Sequence, residues 1–90
     1  MILVDPAMWP SRGRHWAHLV SDESHEGLHA FAEQLGLPPR AFHGDHYDIP
    51  TELRDHALAL GAQPVSSREL LRRLKQAGLR RKRRELPREV

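Results

Sequence analysis

His46-Tyr47-Asp48 is the densest chemical cluster in this 90-residue chain. An imidazole and a carboxylate two residues apart can share a divalent metal. Alternatively, the carboxylate can orient the ring as a general base. Asp5 follows the apolar run Ile2-Leu3-Val4, where a carboxylate can ligate a metal or handle a proton. His18 sits between Ala17 and Leu19 and can join them. The expected catalytic set is Asp5, His46 and Asp48, and the expected metal ligands are His18, His46 and Asp48. Plainer roles stay open: Asp48 as a helix cap, Asp5 as a turn starter before Pro6, and the histidines as packed or solvated side chains.

Other chemistry is excluded or weak. The chain has no cysteine, so disulfides, thiolate zinc sites and thiol nucleophiles are ruled out. It has no phosphate-cradling glycine loop and no nucleophile elbow. His25 and His29 share a helix face at four-residue spacing, but nothing else of a zinc-protease motif accompanies them. Trp9 and Trp16 suit either ligand stacking or packing. Arg80-Arg81-Lys82-Arg83-Arg84 is a run of five cations that can neutralise phosphates of a nucleic acid, though without interleaved aromatics. A solvated terminus is its plainer reading.

These residues need elements to position them. Ile2–Val4 reads as a buried strand. Residues 6–20 form a long connection that holds a strand candidate at Trp16–Val20. Ser21 or Asp22 can cap a first helix, whose Leu28, Phe31, Ala32 and Leu35 make one apolar face ending at Gly36. Arg40–His43 is a weak second strand, and Gly44–Asp48 reads as a turn. Pro50 opens a second helix with a Leu53, Ala57 and Leu60 face. Ala62–Val65 is a third strand, and Ser66-Ser67-Arg68-Glu69 matches a capping box before a third helix. The order β-α-β-α-β-α implies a small two- or three-layer α/β domain with a short, mainly parallel sheet. In such a sheet, ligands gather outside the carboxyl ends of the strands. Asp5, His46, Asp48 and Ser66 would all be delivered there, beside helix N-termini that attract anions.

Charge divides the chain. Residues 1–67 carry a formal −5 and residues 68–90 a formal +7. The expectation is a single domain over 1–78 and a basic, flexible tail over 79–90. No apolar run is long enough to span a bilayer, and Met1–Asp5 is no signal peptide, which makes the cytoplasm the expected compartment.

Val4-Asp5, Trp16-Ala17-His18-Leu19, Val20-Ser21-Asp22, Leu28-His29-Ala30-Phe31-Ala32, Gly36, His46-Tyr47-Asp48 and Ala59-Leu60-Gly61-Ala62 occur in an ordered combination. That combination resembles a small bacterial and phage family catalogued as domain of unknown function 4031. The resemblance spans roughly residues 1–78. It implies no established activity, but it groups Asp5, His18, Asp22, His29, His46 and Asp48 as a set. The family commonly shows two adjacent acids after the first strand, and Pro6 stands in the second place here. His18, His29 and Asp22 from that set, with Ser66 from the sheet-edge placement, are the ligand-contact candidates.

The leading expectation is a His/Asp pocket that binds a divalent metal or a phosphate-bearing ligand, with hydrolysis as the candidate activity. The alternatives are a nucleic-acid-binding accessory protein using Arg80, Arg81, Lys82, Arg83 and Arg84, or a module completed by homo-oligomerisation.

Overall fold

The computed structural model describes residues 1–81. The elements run β1 (Ile2–Val4), β2 (Trp9–Ser11), β3 (Arg14–Ser21), α1 (His25–Gln34), β4 (Tyr47–Pro50), α2 (Thr51–Ala59), β5 (Gln63–Pro64) and α3 (Ser67–Gln76). No helix among the described residues is long and apolar enough to cross a membrane.

The sheet has five strands and is mixed rather than mainly parallel. β1 pairs with β5 in parallel, while β3 runs antiparallel to β1, β2 and β4. The expected parallel alternation fails at residues 6–20. They form a hairpin rather than a long loop, and the strand expected at Trp16–Val20 lies within β3. Arg12 and Gly13 both take positive φ, 52° and 75°, between the paired Ser11 and Arg14. Two left-handed residues make the tight turn whose twist matches that of the flanking strands. β3 then lies antiparallel to β1 and becomes the longest strand.

The expected strand at Arg40–His43 is also corrected. Pro38-Pro39 lead instead into a single 3-10 turn at Pro39–Ala41. The strand comes later, at β4, where Tyr47 and Ile49 are buried and Asp48 and Pro50 are not. β4 pairs with β3 alone, and an edge strand is where a proline such as Pro50 is tolerated. Pro50 also serves as the extended N-cap residue of α2.

Alternation along the strands builds two apolar clusters. Val4, Ala17, Leu19, Tyr47 and Ile49 pack against Leu28, Ala32 and Leu35 of α1 and its flank, and against Ala57 of α2. Leu3 and Val20 pack against Leu70 and Leu74 of α3. Helices therefore cover both faces, but α3 covers only part of its own. Leu60, expected on the core face of α2, stays exposed.

Two helix starts differ in detail from expectation. Ser24, not Ser21 or Asp22, caps α1 by accepting from the Gly27 N–H. Ser21 Oγ instead accepts from the N–H groups of Glu23 and Ser24 in the preceding turn. Ser66 caps α3 as expected, accepting from the Glu69 N–H at 3.0 Å. The Glu69 carboxylate turns to Arg72 rather than back to the cap. Leu79 packs on the α3 cluster. Arg80 and Arg81 contact Asp45, so these first residues of the expected tail touch the folded body.

Candidate metal centre

Cross-strand register assembles the site. Val4 pairs with Leu19, so Asp5 falls opposite His18, and the Asp5 N–H donates to the His18 carbonyl at 3.2 Å. On the other edge of β3, His18 pairs with Asp48. Residues opposite one another across a ladder point to the same face, and positions two apart along a strand do also. Asp5, His18, Asp48 and His46 therefore share the α3-side face, next to the strip that α3 covers. The carboxyl-edge rule explains only Asp5 and Ser67, which follow the parallel strands β1 and β5.

Asp5 is 1% exposed and accepts three hydrogen bonds. The His18 N–H donates to Oδ1 at 2.6 Å, and His18 Nδ1 and Ser67 Oγ lie 2.8 and 2.9 Å from Oδ2. Burial by itself raises this carboxyl's pKa. The bonds from the His18 ring and backbone and from Ser67 outweigh that effect and hold it below its ordinary value. An ionised carboxylate only accepts, so His18 Nδ1 is the donor, and in the neutral ring Nε2 is left with the lone pair.

His46 repeats the arrangement with a residue that sequence reasoning missed. Asp45, 2% exposed, receives His46 Nδ1 at 2.7 Å on Oδ1. Its Oδ2 accepts from Arg80 Nη1 at 3.0 Å and from the Arg81 N–H at 2.8 Å. Burial works against ionisation of Asp45 too, but the bonds from His46, Arg81 and Arg80 lower its pKa. The turn that buries Asp45 is closed by the His43 N–H on the His46 carbonyl at 2.8 Å.

Two imidazoles, each fixed by a buried carboxylate at Nδ1, therefore aim Nε2 at Asp48. His46 Nε2 lies 3.2 Å from Asp48 Oδ1, and His18 Nε2 lies 3.9 Å from it. The His18, His46 and Asp48 ligand atoms all fall within 4.8 Å of one another. The His46 contact is close enough for an ion pair but is not aligned as a hydrogen bond. Asp48 Oδ1 is thus shielded from solvent with no hydrogen-bond partner among the described residues. Burial opposes charge on His46, while Asp48 and Asp45 favour it and prevail, raising its pKa above the ordinary value.

The remaining candidates lie elsewhere. His29 Nδ1 is hydrogen-bonded to the Tyr47 hydroxyl at 2.7 Å. Tyr47 belongs to the α1–α2 face of the sheet, opposite the Asp48 side chain. Asp22 pairs with Arg73 of α3 at 2.7 Å and with the Met1 amino group at 2.9 Å. Ser66 is occupied as a cap, and its neighbour Ser67 reaches Asp5 instead. Of the cationic run, Lys82, Arg83 and Arg84 lie outside the described residues. His43 Nε2 stands 3.9 Å from Asp48 Oδ2 at the outer rim of the cluster.

A family model described as a protein of unknown function, DUF4031, covers residues 2–77. No curated protein and no solved structure matches significantly.

Proposed function

The chain belongs to the DUF4031 family, and from that footing we propose that it is a divalent-metal protein whose ion is held by His18, His46 and Asp48. The observation that carries this reading is the convergence of Asp48 with two Nε2 atoms, all within 4.8 Å of one another, on rings fixed at Nδ1 by Asp5 and Asp45. Two histidines and one carboxylate make a common three-ligand set that leaves coordination positions open. A carboxylate behind each ligating imidazole is the usual support for such a set. With imidazole and carboxylate donors and no thiolate, zinc, manganese, cobalt or iron(II) suits the site better than a soft ion.

Metal-dependent hydrolysis of a phosphate ester is the activity that this reading expects. A cation held there would polarise a phosphoryl oxygen and offset the charge that builds as the ester bond breaks. The protein's own contribution is to keep both Nδ1 protons on Asp5 and Asp45, so that both Nε2 lone pairs stay available. Titration calorimetry with zinc and manganese tests the binding, and release of p-nitrophenol from bis(p-nitrophenyl) phosphate tests the activity. One ion per chain, lost in His46→Ala and Asp48→Asn, is the expected result. A wild-type protein that binds neither ion overturns the metal reading. Metal binding without ester cleavage removes the hydrolase and leaves the metal.

A further inference from the structure

We propose that the cleft beside the metal cluster binds a nucleobase carrying a phosphate, which rests on the metal reading only for what happens to that ligand afterwards. The cleft is about 450 Å³, and it lies between the β2–β3 hairpin and the segment that follows α1. Trp9, Trp16, Arg12, Arg40 and His43 line it, with Asp48 shared between the cleft and the cluster.

Three observations favour this ligand. The first is aromatic. Trp9 pairs with Trp16 across the hairpin, so both rings occupy the face that carries His18. The Trp9 ring lies parallel to that of His18, 8° apart in plane and 5.5 Å between centroids. Trp9 nevertheless stays 46% exposed, so it offers surface for another planar group. Trp16 is anchored by its indole N–H on the Ser11 carbonyl at 2.9 Å, which stiffens the platform. Every base has a π-face, so such a platform accepts nucleobases without demanding a sequence.

The second observation is charge. The ion-paired arginines are Arg14, Arg72, Arg73 and Arg80. Arg12 and Arg40 are exposed and have no carboxylate partner among the described residues. Two unpaired guanidiniums flanking an aromatic platform suit a phosphate group. Arg12 also occupies the first left-handed position of the hairpin turn, where asparagine or glycine is the ordinary choice.

The third observation is the shared wall. Asp48 lines both the cleft and the candidate metal cluster, so a phosphate drawn to the arginines lies in the same cleft as a metal ligand. Stacking, phosphate capture and the candidate cation site thus adjoin where α3 leaves this sheet face open, beside the segment that follows α1.

The test uses the whole protein in EDTA, so that it does not depend on metal binding. The probes are AMP, a ten-nucleotide oligodeoxyadenylate and ribose 5-phosphate. Trp9 and Trp16 are the protein's two tryptophans, so a stacked base should quench the intrinsic fluorescence saturably. Calorimetry supplies affinities for variants that lack the reporter. Trp9→Ala should weaken AMP binding by about 5- to 150-fold, as loss of one base-stacking contact does, while Trp9→Phe should keep most of the affinity. Arg40→Ala should weaken it by about tenfold, as loss of one phosphate contact does. Ribose 5-phosphate should bind at least tenfold more weakly than AMP. An oligonucleotide that binds more tightly than AMP, with steep salt dependence, identifies a single strand as the source of the base; equal affinity identifies the free nucleotide.

Absence of quenching by both AMP and the oligonucleotide overturns the proposal. Equal affinity for ribose 5-phosphate, or wild-type affinity in Trp9→Ala, overturns it as well. Nucleotide binding in EDTA by a protein that takes up no metal would sustain this inference and defeat the metal reading, so the two failures are distinguishable.

Discussion

Replacing Asp5 with asparagine should leave a folded protein with a damaged metal site. The wild-type carboxylate accepts from the His18 N–H, the His18 ring and the Ser67 hydroxyl. Asparagine offers one acceptor oxygen and one amide group. With the oxygen kept on the His18 N–H at the 2.6 Å position, the amide faces His18 Nδ1, which must then lose its proton to accept. The proton moves to Nε2, the atom that should present a lone pair toward Asp48. Metal binding would have to reverse this change and leave two donors facing one another. Disturbing a carboxylate behind a ligating histidine typically weakens metal binding by about 10- to 100-fold, or about 1.4–2.7 kcal/mol. Charged hydrogen bonds contribute about 1.5–3 kcal/mol each, partly offset because the variant buries no charge, so a net destabilisation of about 1–3 kcal/mol is expected. Urea unfolding in EDTA measures the stability, and zinc calorimetry the affinity. Ser67→Ala serves as the control: it removes the 2.9 Å bond without touching the imidazole, and its affinity should change by less than about threefold. A folded Asp5→Asn protein with wild-type zinc affinity would refute the tautomer argument.

Stability in EDTA should peak between the carboxylate and histidine ranges. Asp5 and Asp45 have lowered pKa values, so their contribution is complete above the unfolded value of 3.8 and lost as pH falls through the folded values. His46 has a raised pKa, so its contribution is complete below the unfolded value of 6.5 and lost as pH rises through the folded value. Zinc should reverse the alkaline decline, because the ion takes the place of the departing Nε2 proton; urea unfolding across pH with and without zinc shows whether it does. Arg80→Ala removes the 3.0 Å bond to Asp45 and should cost about 1–3 kcal/mol in a urea titration, with a smaller loss of zinc affinity than in Asp5→Asn. Unchanged stability in that variant would mean that the contact to Asp45 adds nothing.

Much of this arrangement is readable from residues, but not for the reason first available. The apolar faces of α1 and α3 follow from their helical spacing, and Gly36 and Ser66 mark helix ends for local reasons. His18, His46 and Asp48 stand out by type, and their ligand atoms lie within one 4.8 Å cluster. The carboxyl-edge rule of a parallel sheet pointed to that grouping, whereas cross-strand register on a mixed sheet produces it. The decisive unread signal is His46-Tyr47-Asp48-Ile49, which alternates polar and apolar and so reads as a strand. Grouping Gly44–Asp48 as a turn hid that alternation. The Arg12-Gly13 turn was equally hard to read, because arginine is an uncommon first residue there. Asp45 carries no signal of its own beside His46, since only the fold shows that it is buried and tied to Arg80. Ser67 reaches Asp5 across 62 residues of sequence, a contact that no local pattern encodes.

The most direct measurement is a zinc titration followed at the imidazole nitrogens by ¹H–¹⁵N NMR. The protein has seven histidines, and four of them lie away from the cluster and serve as internal controls. The account predicts that Nε2 of His18 and Nε2 of His46 move to metal-bound shifts while both Nδ1 atoms stay protonated, with His15, His25, His29 and His56 unchanged; His43, at the rim beside Asp48, is no control. Zinc-dependent shifts that leave His18 and His46 unmoved, or none at all, would contradict it.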